Sequence, residues 1–256
     1  MAVEDGGSWV LDGEPASIGR LVEVVSASHR RLEAIAREIA EAGPVRNTRL
    51  PGWTNAHLLC HLERNAASHL RMLEAAMSGG LVDQYPGGDA GRRAEIDAGS
   101  RRSLGVLASA LATTNHQLEA QWALMDQGSW HNPTRARAGS RPAHSCLWAR
   151  WREVEVHKVD LDSDVDVRDW PTDFAVAGLD ISFRGLELRS VADRLLEGDH
   201  LELRDPALGF WQSHRDAEPT HIGQGSAQML LGWVMGRSDS HHINWATVPT
   251  ELEPWP

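Results

Sequence analysis

Apolar residues recur at helical spacing in four separate stretches of the first 161 residues, and this repetition constrains the fold more than any other feature. The stretches are residues 16–42, 54–78, 92–127 and 147–161. Gly43-Pro44 ends the first, and Thr54 is a plausible N-cap for the second, which Gly79-Gly80 ends. Four helices joined in this way predict a bundle, whose interior is a common place for metal sites built from facing helices.

The fourth stretch contains WREVEVHKVDL, residues 151–161, which is compatible with a strand or a helix. As a strand it places Glu153, Glu155 and His157 on one face, because side chains alternate with a period of two. As a helix it places Glu153 and His157 one turn apart and turns Glu155 away. Extending the segment back to Leu147 puts its large apolar residues within one arc of a helical wheel, which favours the helix.

The pattern changes after residue 165, and the sequence predicts two domains, residues 1–165 and 166–256. In the second domain we expect a helix over 173–196, strands over 200–205 and 209–214, a helix over 226–237 and a strand near 243–248. We therefore predict an α+β domain after the bundle. Between the third and fourth helices, Pro133, Gly139 and Pro142 leave little room for a regular element.

Composition limits the classes of function that the chain can serve. The net charge is −11 and no Lys/Arg block occurs, which argues against a nucleic-acid partner. No apolar run is long enough for a membrane span, and the acidic N-terminus MAVEDGGSWV is unlike a signal peptide, so we expect a cytoplasmic protein. Only Cys60 and Cys146 are present, so any metal must be bound by histidine and carboxylate.

Glu153 and His157, four residues apart, present a carboxylate oxygen and an imidazole nitrogen from one helical face. This spacing fits a shared divalent metal, although a glutamate and a histidine four apart on a helix more often form only a hydrogen-bonded or solvated pair. A third ligand is available on the second helix, where His57 and His61 also lie one turn apart. Two histidines and one glutamate would leave a coordination position open, as in catalytic zinc sites.

Three segments resemble, in order and spacing, the mycothiol-dependent maleylpyruvate isomerases. They are LPGWTNAHLLCHLERNA (50–66), YPGGDAGRRAEIDAGS (85–100) and LWARWREVEVHKVDL (147–161), and the resemblance extends from about residue 16 to Arg237. It implies a DinB-like four-helix bundle followed by a smaller α+β domain similar to sterol carrier proteins. It also implies an enzyme that binds zinc and the thiol cofactor mycothiol and isomerises maleylpyruvate to fumarylpyruvate.

The resemblance assigns roles to individual residues. It implies that zinc is held by His61, Glu153 and His157, and that His57 and Glu155 are not ligands. It places a functional arginine at Arg237, which would stabilise the enolate-like state of the substrate. The same resemblance places a second arginine at Arg92 or, with a shifted register, at the adjacent Arg93.

Arg92 would hold a carboxylate of the anionic substrate or cofactor, and Asn65, one turn beyond His61, would line the same pocket.

Two alternatives stay open at this stage. One is a mycothiol S-transferase that acts on another electrophile, and the other is a non-catalytic metal-stabilised binding module. Another divalent metal would also suit two histidines and a glutamate. We expect a monomer.

Overall fold

The computed structural model describes residues 8–137, 139–161, 164–184, 191–214, 216–249 and 252. By their contacts these residues form two compact units. One is Val10–Val165, and the other comprises the described residues from Asp166 onward together with residues 8 and 9. The assignment of the units to folding domains stays a prediction. Among the described residues, no helix combines the length and the apolar character needed to cross a bilayer.

The first unit is built on four long helices, as the apolar periodicity predicts. They are α1 (Pro15–Ala42), α2 (Asn55–Met77), α4 (Leu104–Leu124) and α6 (Ser145–Asp160). Both α1 and α2 pack against both α4 and α6, which makes a bundle. Leucines from three helices fill its core, among them Leu32, Leu58 and Leu107, each of which is fully buried. The helical interpretation of residues 151–161 is confirmed.

Local signals start and end these helices where the sequence indicates. Thr54 is the N-cap of α2 and forms a capping box with His57. Pro15 occupies the first turn of α1, where its missing amide costs nothing. Gly43 follows α1 with a φ of 94°, a backbone conformation that favours glycine.

The single helix predicted over residues 92–127 is wrong, because the chain forms two helices there. These are α3 (Gly88–Gly99) and α4. Ser103 starts α4 as an N-cap, since its hydroxyl accepts from the Val106 amide. At Gly99 an added Cβ atom would lie 2.5 Å from the Cys60 sulfur, so a larger residue would force side chains to shift where α3 approaches α2.

The segment between α4 and α6 also differs from the prediction. It contains a short helix, α5 (Gln127–His131), and a hairpin of β1 (Pro133–Ala136) and β2 (Gly139–Pro142). Pro133 and Pro142 are paired at the open end of this two-stranded hairpin. The prolines therefore delimit two short strands, and the expectation of no regular element is corrected.

A charged residue lies at the centre of the bundle. Arg150 of α6 is 0% exposed, and its guanidinium donates to His29 Nε2 (3.1 Å), the Leu62 carbonyl (3.0 Å), Asn65 Oδ1 (2.8 Å) and Asn115 Oδ1 (2.7 Å). Burial lowers the pKa of Arg150 to about 10, so the side chain stays charged at neutral pH. One cation thus connects α6 to the three other bundle helices.

Two acidic residues sit behind these neutral acceptors. Burial lowers the pKa of His29 to about 4, and its neutral ring accepts from Arg150 at Nε2 and donates from Nδ1 to Glu119, 2.7 Å away. Asn115 donates to Glu33 at 2.8 Å. The positive charge of Arg150 is therefore balanced through two polar side chains by carboxylates nearer the surface.

The second unit is α+β, as predicted. A four-stranded sheet has the order β4-β3-β5-β6, in which β3 and β5 are parallel and the other neighbours antiparallel. Its strands are β3 (Leu201–Asp205), β4 (Gly209–Gln212), β5 (His221–Gln224) and β6 (Asn244–Trp245). Helices α7 (Thr172–Arg184) and α8 (Ala227–Val234) pack on each other, and Gly178 allows this because a Cβ there would lie 2.7 Å from Leu231.

The fold class, a helical bundle followed by an α+β unit, is confirmed, although two details of the second unit are corrected. The helix predicted over residues 173–196 ends at Arg184, residues 185–190 lie outside the described part of the chain, and Ala192–Arg194 is a short 3-10 helix. Strand β5 is absent from the prediction. It pairs with β3 in parallel, a contact that local alternation does not reveal.

Candidate metal centre

The structure brings His61, Glu153 and His157 together between α2 and α6. Each offers one ligand atom, and these atoms all lie within 4.8 Å of one another. Glu153 Oε2 lies 2.9 Å from His61 Nε2 and 3.6 Å from His157 Nε2. The two imidazole rings meet edge to face with their centroids 5.0 Å apart. His61 is buried, and the other two side chains are partly buried.

The donor set fits a divalent ion. With metal–ligand distances of about 2.0–2.2 Å, tetrahedral geometry separates ligand atoms by roughly 3.4 Å, and the two observed separations of 2.9 and 3.6 Å bracket this value. Two nitrogens and one carboxylate oxygen are also the ligands that catalytic zinc sites use. The residues present therefore suit the ion that the resemblance implies.

His61 and Glu153 are in the protonation states that metal binding needs, whereas a metal ion must compete with a proton at His157. Burial by itself would lower the pKa of His157, but its contacts with Asp160 and Glu153 outweigh this and raise it. Burial lowers the pKa of His61 to about 4, so its ring is neutral at pH 7. Burial by itself would raise the pKa of Glu153, but hydrogen bonds from His157 and His61 outweigh it and hold this pKa well below its usual value. A neutral imidazole beside an ionised carboxylate is the protonation state in which both can coordinate a cation.

The other ring nitrogens of the two histidines face opposite kinds of group. His157 Nδ1 lies 2.8 Å from Asp160 Oδ2, whereas His61 Nδ1 lies 3.1 Å from a guanidinium nitrogen of Arg92. Since arginine only donates hydrogen bonds, His61 accepts here at Nδ1 and carries its proton on Nε2, toward Glu153. The edge-to-face contact of Trp53 with His61, at 5.5 Å, covers one side of this ring.

Arg92 links the cluster to a cavity of about 180 Å³. The lining residues are Trp53, Asp89, Arg92, Arg93, Ile96, Asp97 and Arg137. The guanidinium of Arg92 lies over the rings of Trp53, at 6.0 Å, and Tyr85, at 5.6 Å. The sequence left Arg92 and Arg93 as alternatives. Both side chains line the cavity, and Arg92 is the one that contacts His61.

The two residues that the resemblance excluded as ligands, His57 and Glu155, form contacts outside the cluster. The His57 ring turns back to the start of α2, where the Thr54 hydroxyl lies 2.8 Å from Nδ1. Glu155 is 0% exposed, with Lys158 Nζ 2.7 Å from Oε2 and the Ser28 hydroxyl 2.5 Å from Oε1. Glu155 thus forms a buried ion pair that is separate from the His–Glu–His cluster.

The structure places the two remaining predicted site residues as follows. Asn65 is 2% exposed, and its carboxamide oxygen accepts from Arg150 in the core network, so a role in cofactor binding stays a prediction. Arg237 belongs to the second unit, just after α8, where its guanidinium donates to the Met235 carbonyl at 2.7 Å. Its catalytic role also stays a prediction.

The sequence interpretation missed Asp160. This side chain is 1% exposed and contacts His157 from the last turn of α6. The signal was present in HKVD, since residues three apart on a helix share a face. The described residues contain one other possible metal-binding group, Asp239, His241 and His242, but all three side chains are exposed.

Comparison with known proteins agrees with this architecture. A crystal structure of the mycothiol-dependent maleylpyruvate isomerase aligns with 93% of this chain and 97% of its own, with a TM-score of 0.78 and 21% identity. A histidine-to-alanine mutant of the mycothiol-dependent maleylpyruvate isomerase aligns over the same shares of both chains, with a TM-score of 0.80 and 21% identity. No curated protein sequence matches the chain.

The solved structures show the fold, and a sequence model of a protein family shows to which family the chain belongs. The model described as the mycothiol maleylpyruvate isomerase N-terminal domain matches residues 25–162, which is more than half of the chain. The matched segment contains all four bundle helices over most of their length and the three residues of the His–Glu–His cluster. The chain therefore belongs to the mycothiol maleylpyruvate isomerase N-terminal domain family.

Proposed function

We propose that this protein is a mycothiol-dependent isomerase that converts maleylpyruvate to fumarylpyruvate, with a divalent ion, zinc first among the candidates, held by His61, Glu153 and His157. One observation carries the proposal. Inside a bundle of this family, two imidazole nitrogens and an ionised carboxylate converge within 4.8 Å, with an arginine against one of the histidines. When bound, the ion favours the thiolate form of a thiol, whose reversible addition makes the substrate double bond transiently single.

Arg92 has a defined part in this scheme. An imidazole that coordinates through Nε2 carries its proton on Nδ1, so His61 in that form cannot accept the Arg92 hydrogen bond. The guanidinium is then available to a carboxylate, for which its planar fork is well suited. Trp53 and Tyr85, on which Arg92 rests, keep it at the cavity while its partner changes.

The cavity provides local positive charge in a chain whose net charge is −11. Three arginines and two aspartates line it, and Arg137 already pairs with Asp89 at 3.0 Å. Arg92, Arg93 and Asp97 then remain, so the lining keeps one net positive charge with which to attract an anion. This arrangement supports a small dianionic substrate, because the arginines act at short range against a repulsive overall field. Arg237 would stabilise the enolate-like state, as the resemblance implies.

The direct test is conversion of maleylpyruvate by purified zinc-loaded protein, followed by absorbance and by chromatography of the trans product. We expect turnover with mycothiol present and none when mycothiol is omitted or the ion is chelated. Turnover without mycothiol would contradict the proposal. A zinc-loaded protein that leaves maleylpyruvate unchanged, and instead couples mycothiol to another electrophile, would replace the isomerase by an S-transferase.

A further inference from the structure

Asp160 occupies a position that is unfavourable for a carboxylate. It is the last residue of α6 and only 1% exposed, so its charge is removed from water. It also lies at the end of the helix where the macrodipole is negative. Burial of an anion in such a place is strongly unfavourable unless a partner compensates for it. The His157 ring, 2.8 Å from Oδ2, is such a partner.

The contact with Asp160 determines which nitrogen of His157 carries a proton and how the ring is oriented in the cluster. A carboxylate accepts hydrogen bonds only, so Nδ1 of His157 must carry a proton to contact it. His157 is held between Asp160 at Nδ1 and Glu153, 3.6 Å away, at Nε2. Both carboxylates belong to the same helix as His157, at i+3 and i−4, so the rigid backbone of α6 fixes the ring from both ends.

The backbone of Asp160 is anchored as well. Its carbonyl accepts from the Arg49 amide at 3.0 Å, which ties the end of α6 to the loop before α2. Asp160 is therefore held in place independently of His157. By contrast, His61 faces the donor Arg92 at Nδ1. Of the two histidines, His157 is the one whose Nδ1 contacts a carboxylate.

We propose that Asp160 is a positioning residue that orients His157 and strengthens it as a metal ligand, an inference that rests on the proposed metal-binding role of the cluster. Outer-shell carboxylates of this kind raise the basicity of the ligating imidazole and hold its tautomer. Their loss lowers metal affinity by about 10- to 100-fold.

The test compares zinc affinity, measured by competition with a chromophoric chelator and without mycothiol, in three proteins. They are the wild type, Asp160→Asn and Glu155→Gln. The asparagine keeps the size of the side chain and removes its charge. Glu155→Gln is the matched control, because it removes the charge of another buried carboxylate of α6 that contacts Lys158 and lies outside the cluster. Urea unfolding of each zinc-free protein reports general destabilisation.

We expect Asp160→Asn to weaken zinc binding by about 10-fold or more and Glu155→Gln to leave it within about twofold of the wild type. Equal zinc affinity of Asp160→Asn and the wild type would overturn the inference while leaving the proposed metal site intact. Equal losses in both variants would overturn it too, since they would reflect stability alone. Failure of the wild type to bind zinc or another divalent ion would overturn the proposed function itself.

Discussion

His61→Ala should abolish thiol-dependent isomerisation while leaving the bundle folded. The substitution removes one of three ligands, so the loss of activity should exceed the roughly 100-fold that an outer-shell change costs at most. The fold should survive because Glu153 keeps His157 as its partner, 3.6 Å away. We expect the zinc-free variant to show a native circular dichroism spectrum and a Tm within a few degrees of the zinc-free wild type.

His57→Ala is the matched control for this prediction. His57 lies one helical turn before His61 and belongs to the capping box of α2. Its loss should cost about 1 kcal/mol of stability and leave zinc content and turnover near wild-type values. An active His61→Ala protein, or an inactive but folded His57→Ala protein, would contradict the assignment of the ligand to His61. Collapse of folding in His61→Ala would instead indicate a structural metal.

Arg150→Met should destabilise the protein by about 3–5 kcal/mol, which is a large part of the stability of a typical domain. The methionine fills much of the space but donates no hydrogen bond. Four buried acceptors on three other helices would each lose a hydrogen bond, including His29 Nε2 and the Leu62 carbonyl. Urea unfolding monitored by tryptophan fluorescence measures the effect, since Trp122 stacks on His29.

Arg135→Met controls for the removal of an arginine as such. Arg135 pairs with Asp83 at 3.2 Å, and both side chains are more than half exposed. Such a surface pair contributes at most about 1 kcal/mol. If the Arg150→Met variant were as stable as the Arg135→Met variant, the buried network would not hold the helices together.

Local patterns account for what the sequence predicts correctly. The bundle helices are long, their apolar positions repeat every three to four residues, and Thr54 and Gly43 lie at their ends. The break after α3 was not predicted, because apolar residues continue in helical register across Ser103, although that serine is a good N-cap. Strand β5 was not predicted either, because its partner β3 is parallel to it and is not its neighbour in a hairpin.

The candidate site divides in the same way. Helical spacing indicated Glu153 and His157, and only the resemblance selected His61 over His57. The capping sequence Thr54-x-x-His57 could have excluded His57, because its ring turns back to the N-cap. The environment of Asn65 was not predictable, since it depends on Arg150, which lies 85 positions further along the chain. The burial of Glu155 with Lys158 likewise depends on Ser28 of α1.

Metal content per folded chain, measured by elemental analysis of the wild type, Glu153→Gln and Glu155→Gln, most directly tests whether the cluster is a metal site. All three proteins are purified in the same zinc-containing buffer and then desalted. We expect close to one zinc per chain in the wild type and in Glu155→Gln, and a loss of most of it in Glu153→Gln. Zinc retained in Glu153→Gln, or lost in Glu155→Gln with the fold intact, would contradict the assignment of His61, Glu153 and His157 as the ligands.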